Sequence, residues 1–225
     1  MKINFIGHSG FFIEDSNAGI LIDPFISKNP IANATFESSK LKNILLTHGH
    51  HDHLGDAIEI SKQTGAPITA VYELAQYCAA RGATTTPGMN IGGIVQLTGA
   101  HVKVCPAFHS SSADDLTYLG CPCSFLITIG DKTIYHAGDN CLNQEMKTIG
   151  EIMRPDIALL PIGGTFTMDA DDAVRAAEWL KAQIIIPMHF NTFPPIVANA
   201  DEFAKNIQAT GKIAKVMQPG ETIEL

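Results

Sequence analysis

The stretch "NILLTHGHHDHLGDAIEISKQTG" (43–65) limits the fold more than any other part of the chain. Its opening, "NILLTH" (43–48), is a continuous apolar run of the kind that forms a buried strand. Its second half, "LGDAIEISKQTG" (54–65), carries Leu54, Ala57, Ile58 and Ile60 at roughly helical spacing, and Gly65 and Pro67 are stop signals. Between the two lies "THGHHDH" (47–53), which packs His48, His50, His51, Asp52 and His53 into a strand-to-helix turn. The C-terminal end of a strand, where the chain turns into a helix, is where sites of α/β proteins gather. Gly49 lets the turn be tight and lets the side chains splay apart.

The rest of the chain follows the same grammar. "KINFIG" (2–7), "GFFIE" (10–14) and "GILID" (19–23), punctuated by glycine and by "SNAG" (16–19), read as an antiparallel meander. A strand at 68–71 and a helix at 72–82 come next. Strand-like runs follow at "GIVQL" (93–97), 101–108, 124–130 and 132–138, with "GDK" as a hairpin turn between the last two. Helices are expected at 142–153, 169–182 and 201–211, strands at 156–162 and 184–190, and the last strands within 214–225. The helix at 169–182 has acids in its first turn, which suit the helix dipole, and Ala173, Ala177 and Leu180 on one face. The second half roughly mirrors the first. Two mixed sheets packed face to face, with helices outside, satisfy this order.

With 225 residues, 45% of them hydrophobic and 17% charged, the chain suits one domain with a large core, spanning 1–225. A net charge of -8 and the lack of any Lys/Arg run argue against nucleic acid as a partner. The five cysteines, Cys78, Cys105, Cys121, Cys123 and Cys141, are odd in number and not spaced as a disulfide framework, which fits free thiols in a reducing cytosol. The N-terminus is too short and polar in its apolar stretch for a signal peptide, and no run approaches a membrane span. A cytoplasmic protein acting on a small molecule is expected, and a homo-oligomer is compatible with the sequence.

Written with its gaps, the cluster is H-x-H-x-D-H. Four ligating groups this close in sequence reach one tetrahedral ion only with strain, so two metals suit them better. Further ligands follow at later strand ends: His109 after 102–108, Asp139 after 132–136 and His189 after 184–188. Each alone would be a weak signal. Their succession after the cluster points to one shared rim.

H-x-H-x-D-H, then His, then Gly-Asp, then His resembles the metallo-β-lactamase-fold superfamily of hydrolases over the whole chain. "IGHSGFFI", "IYHAGD", "PIGGTFTMDADDA" and "IPMHFNTFP" are similar to a branch of small, cytoplasmic, metal-dependent hydrolases, distantly like L-ascorbate-6-phosphate lactonase and N-acyl-phosphatidylethanolamine phospholipase D. The resemblance implies a four-layer αββα sandwich with a binuclear site on one edge. It places His48, His50 and His109 on a first metal, Asp52, His53 and His189 on a second, and Asp139 between them. His51 falls on the variable position of the motif and is expected at the helix start.

Two cations a few Å apart can share a hydroxide and polarise a substrate oxygen, with Asp52 orienting the nucleophile. Zn is the expected metal of this imidazole-rich, thiolate-free set, with Mn and Fe as alternatives. His8, in "GHSG", is the candidate general acid, with a structural turn residue as the alternative. His136 is read either as a donor to Asp139 or as a core-facing residue. Cys141, two residues past Asp139, is read as an ordinary cysteine. Gly163 and Gly164 either offer amides to an anion or merely precede a helix capped by Thr167 or Asp169. Asn191, Thr192 and Phe193 are candidate pocket walls.

The leading function is metal-dependent hydrolysis of a small ester, lactone or phosphodiester. A redox or dioxygenase-like enzyme and a non-catalytic metal-binding protein on the same fold are the alternatives. Flavodiiron-type oxidoreductases need a Glu where this chain has His50. Mononuclear iron dioxygenases use fewer of the ligands. Ribonuclease-type members carry an inserted domain, and nothing of that size fits between His53 and Asp139.

Overall fold

The β-branched and aromatic runs of the N-terminal third pair as the alternation requires. In the computed structural model, which describes every residue except Asn17 and Thr35, β1 (Lys2–Gly7), β2 (Gly10–Glu14) and β3 (Gly19–Ile22) form an antiparallel meander. The centre of the "SNAG" turn lies outside the described residues. Two strands extend this sheet in parallel: β4 (Asn43–Leu45) beside β3, then β5 (Ile68–Thr69). The C-terminal strand β13 (Thr222–Glu224) returns to close the other edge against β1.

A second sheet begins with the antiparallel strands β6 (Ile94–Leu97), β7 (Ala100–Pro106), β8 (Cys123–Ile129) and β9 (Lys132–His136). It continues in parallel through β10 (Ile157–Pro161), β11 (Ile184–Met188) and the short β12 (Ile213–Ala214). The connections between β9, β10, β11 and β12 carry helices, as parallel neighbours demand. These are α4 (Gln144–Ile152), α5 (Ala170–Leu180) and α6 (Ala200–Ala209), which pack on one another and on this sheet. On the first sheet, α2 (Ala57–Thr64) and α3 (Tyr72–Ala79) pack on β5. The result is the expected α/β sandwich of two mixed sheets with flanking helices.

Between the sheets lies one apolar cluster that includes Ile3, Phe11, Ile13 and Ile22 from one sheet and Val104, Phe125, Ile127 and Ile134 from the other. Burial of this much apolar surface is the main favourable term in folding. His136 joins the sheets by another means. Its Nε2 donates to the Ser9 carbonyl at 3.1 Å, and its Nδ1 accepts from the Gly138 amide at 3.1 Å. It is therefore a buried strut, and neither ring nitrogen is directed at Asp139.

The expected helix at 54–65 differs. A first turn, α1 (His51–Leu54), already starts inside the histidine cluster, and α2 follows after a break at Gly55. Gly55 has φ +44°, and a Cβ there would lie 2.4 Å from the Pro24 carbonyl oxygen, so only glycine lets the helix pass this loop. Asp56 then holds the same loop, accepting from the amides of Ile26 and Ser27 at 2.9 Å each. The three longest helices are capped as their sequences suggest: Asn143, Asp169 and Asn199 accept from the amides of Glu145, Asp172 and Glu202. No helix among the described residues is long and apolar enough to cross a membrane.

Candidate metal centre

Every residue picked out by the strand-end argument lies on one edge of the sandwich. The first sheet contributes His8, from the β1–β2 turn, and the cluster His48, His50, Asp52 and His53 beyond β4. The second sheet contributes His109 beyond β7, Asp139 beyond β9 and His189 directly after β11. Their ligand atoms fall into three overlapping groups, each within 4.8 Å: His48, His50 and His109; His8, Asp52, His53 and His189; and His48, His53 and Asp139. The first group is the trio expected for one metal. The second holds the three residues expected for the other and adds His8. The third joins them through Asp139, whose Oδ1 lies 3.1 Å from His53 Nε2, while Oδ2 lies 3.4 Å from His109 Nε2 and 3.2 Å from His189 Nε2.

The orientation of these atoms tests whether the site suits a cation. His53 Nε2, Asp139 Oδ1 and His189 Nδ1 are buried without a hydrogen-bond partner. Orphaned polar atoms are costly in a protein interior. His53 Nε2 and Asp139 Oδ1 face each other at 3.1 Å without hydrogen-bond geometry, as two ligands aimed at a common point would. His48 Nε2 and His50 Nδ1 lie at hydrogen-bond distance from each other, 3.0 Å. The imidazole and carboxylate donors present therefore fit a divalent cation, in a set without thiolate.

The electrostatics agree. Burial lowers the pKa of His53, yet the carboxylates of Asp139 and Asp23 outweigh it and hold the imidazole well above its ordinary value. Burial raises Asp139, but His53 and His189 overrule it and keep the carboxylate well below the usual range. Positive charge is thus favoured between these groups. His48, which faces mainly other histidines, is pushed well below its ordinary value by burial first.

Two residues that the sequence reading missed set the ligand rings. Asp23, fully buried, follows β3. Its Oδ1 accepts from the Thr47 amide at 2.9 Å, and its Oδ2 accepts from Thr47 Oγ1 at 2.7 Å and from His53 Nδ1 at 2.8 Å. Thr47 Oγ1 in turn lies 3.0 Å from His48 Nδ1. One carboxylate thereby favours protons on the Nδ1 atoms of His53 and His48, so that Nε2 is the atom of each ring that would hold a cation, the usual work of a carboxylate behind a ligand histidine. Placement after an apolar run and before Pro24 was the available signal for Asp23. The first half of that signal, an apolar run just before, is shared with His109.

His8 is 1% exposed, and both its ring nitrogens are engaged. Nδ1 lies 2.9 Å from Thr192 Oγ1 and Nε2 lies 3.1 Å from Asp52 Oδ2. Burial, opposed by Asp52, lowers its pKa to about 4. His8, Asp23 and His189 have φ of +59°, +43° and +53°. Positive φ is rare for residues other than glycine and collects at functional sites. Two of these strained turns hold each other, since the His189 amide donates to the His8 carbonyl at 2.8 Å.

The remaining candidates sort as follows. His51 is exposed beside the cluster, 3.7 Å from Asp114 Oδ1, and outside the three groups. Cys141 is exposed and also outside them; all five cysteines are free. The Gly164 amide donates to the Met168 carbonyl, and Asp169 caps α5, so capping accounts for the 163–169 turn. Thr192 anchors His8, Phe193 stands edge-on to the His8 ring, and Asn191 is exposed.

Comparison with known proteins agrees with this geometry. Residues 2–189 match the profile described as the beta-lactamase superfamily domain. A UPF0173 metal-dependent hydrolase of Pelotomaculum thermopropionicum is 46% identical over 230 residues, covering all of both chains. Its counterpart in Bacillus subtilis is 45% identical over 230 residues, again covering all of both chains. The solved structure of a metallo hydrolase from the hyperthermophilic archaeon Ignicoccus hospitalis is 40% identical, with a TM-score of 0.90 over 100% of this chain and 98% of that one. Sequence likeness from end to end, the same sandwich and a donor set built for cations converge, and the chain belongs to the UPF0173 metal-dependent hydrolases of the beta-lactamase superfamily.

Proposed function

We propose that the edge cluster is a two-metal hydrolytic centre acting on a small ester, lactone or phosphodiester. The observation that carries this is the pair of three- and four-ligand groups joined by Asp139, with His53 Nε2 and Asp139 Oδ1 buried and unpartnered between them. His48, His50 and His109 would hold one cation. Asp52, His53 and His189 would hold the other, and Asp139 would face both. Zinc is the first choice, with manganese and iron as alternatives. Bound there, such a pair supplies Lewis acidity to the substrate oxygen and makes a water nucleophilic near neutral pH.

The protein's own part follows from the hydrogen bonds. Asp52 is the partly open carboxylate of the set, with 19% of its side chain exposed. His8 holds its Oδ2, which leaves Oδ1 to take a proton from the attacking water. In ester hydrolysis the water oxygen joins the acyl carbon, the bond to the leaving oxygen breaks, and Asp52 returns the proton to that oxygen. The two hydrogen bonds and burial of His8 support a positioning role over the general-acid role, since neither ring nitrogen is left for a leaving group. Asp23 and Thr47 keep the ligand tautomers, and Asn140, next to Asp139, fixes two rim loops by accepting from the amides of Phe108 and Met168.

Metal analysis of the purified protein, followed by hydrolysis of p-nitrophenyl esters, lactones and bis-p-nitrophenyl phosphate with and without chelator, tests the proposal. About two transition metals per chain and chelator-sensitive turnover are expected. One iron per chain would favour the dioxygenase-like alternative, and a metal-free protein would refute both.

A further inference from the structure

The loops that carry the centre bear exposed aromatic side chains, and among the described residues no Lys or Arg side chain pairs with its candidate ligands. Several of the fifteen Lys and Arg residues stand away from it. Lys132 opens β9, while Arg154, Lys181 and Lys212 precede β10, β11 and β12. These strands run parallel, with Asp139 and His189 past their far ends, so all four cations lie at the opposite edge. Among the described residues no Lys or Arg forms an ion pair with a candidate ligand; the pairs of Lys40, Lys62 and Lys132 are with Glu14, Glu37, Glu59 and Asp131. Lys28 lines a cavity of about 210 Å³ together with His51, Asp56 and Asp114, and Arg81 stacks on the Tyr77 ring.

Two exposed aromatic side chains lie on loops next to the candidate ligands. Phe108 stands directly before His109 and is 58% exposed, and Phe166 on the β10–α5 loop is 57% exposed. Asn140 ties their loops together, accepting from the Phe108 amide with its side chain at 3.0 Å and from the Met168 amide with its backbone at 2.9 Å. On the other flank, Phe25 and Phe193 stand edge-on to His8, with ring centroids 5.8 and 5.7 Å away. Exposed aromatic rings at the mouth of a polar centre are the usual wall of a small-molecule site. Phosphate recognition uses Arg, Lys or helix N-termini to receive the oxygens that metals leave free.

We propose that the substrate is an uncharged ester or lactone carrying an apolar group that rests on Phe108 and Phe166, and that anionic phosphodiesters are poor substrates. The inference rests on the hydrolytic reading above. It predicts that kcat/KM of the metal-loaded protein rises about tenfold from p-nitrophenyl acetate to p-nitrophenyl phenylacetate, the scale of a small apolar contact. Bis-p-nitrophenyl phosphate should be slower by about a hundredfold or more, on the scale of an unmatched polar group. Phe108→Ser and Phe166→Ser, both at exposed positions, should bring the phenylacetate-to-acetate ratio of kcat/KM down towards one, chiefly through the KM for phenylacetate. Equal or faster turnover of the diester overturns the inference. So does an equal loss on both esters, or a changed sedimentation coefficient with unchanged kinetics, which would make the rings subunit contacts. If nothing is hydrolysed, the hydrolytic reading fails, and calorimetric titration still decides the inference. N-benzylacetamide should then bind more tightly than diphenyl phosphate and lose affinity in Phe108→Ser; the reverse order overturns it.

Discussion

Replacing Asp23 by asparagine isolates one link of the site from the rest. Three donors meet the two oxygens of Asp23: the Thr47 amide, Thr47 Oγ1 and His53 Nδ1. Asparagine has one oxygen and one NH2. With its oxygen kept on the Thr47 amide, its NH2 faces Thr47 Oγ1, which can accept, and His53 Nδ1, which can accept only by giving up its proton. Turned the other way, the NH2 meets the Thr47 N–H head-on, so the first orientation wins. His53 must then carry its proton on Nε2, the atom aimed into the centre. Loss of a partner behind a ligand histidine weakens metal binding about 10–100-fold, or roughly 1.4–2.8 kcal/mol. The metal-free variant should keep its fold, because every backbone donor stays paired. Asp23→Ala differs: it leaves the Thr47 amide and His53 Nδ1 without an acceptor, at about 1–3 kcal/mol each. Metal content and chelator competition would measure the affinity, NMR of the imidazole nitrogens the tautomer, and calorimetry the stability. An Asp23→Asn protein with wild-type metal affinity and His53 still protonated on Nδ1 would refute the reasoning.

Other outcomes follow from the same contacts. Asp52→Ala should abolish hydrolysis and most of the second metal while the protein stays folded, which turnover, metal analysis and circular dichroism would check; wild-type turnover would refute the proposed role of Asp52. Thr192→Val removes the partner of His8 Nδ1 and should weaken the second metal by about tenfold without loss of the first, as read by stepwise chelator titration. In Gly49→Ala the new Cβ would lie 2.3 Å from Leu119 Cδ1; a loss of about 1–3 kcal/mol is expected, with partial rescue by Leu119→Ala in denaturant titrations. Chelation should lower Tm, since a ligand at a hundred times its Kd stabilises by about 2.7 kcal/mol.

The candidate ligands stand out in the sequence because they obey two local rules. His48, His50, Asp52 and His53 share one turn, and His109, Asp139 and His189 each follow an apolar run. The meander and the helices at 169–182 and 201–211 were legible from periodicity and caps. What escaped depends on distance along the chain. Asp23 reaches His53 across thirty positions and Thr192 reaches His8 across 184; in the sequence an Asp before Pro and a Thr before Phe look like turn residues. The early start of α1 escaped because its first residues, His51, Asp52 and His53, carry no helical periodicity. His136 allowed two readings, and only the packing of β2 against β9 set its ring on the Ser9 carbonyl.

The division of the candidate ligands between the sheets has a consequence for assembly. Residues up to His53 hold one half of the set and residues from His109 onward the other, so neither half closes a centre alone. A cation there would rivet two halves that otherwise meet through an oily seam and the β1–β13 hem. Were the chain severed in the 80–92 connection, its two pieces would carry complementary half-sites. Their reunion would then be governed by the supply of the ion as much as by hydrophobic contact, so that scarcity of metal would be felt as a loosening of the architecture itself.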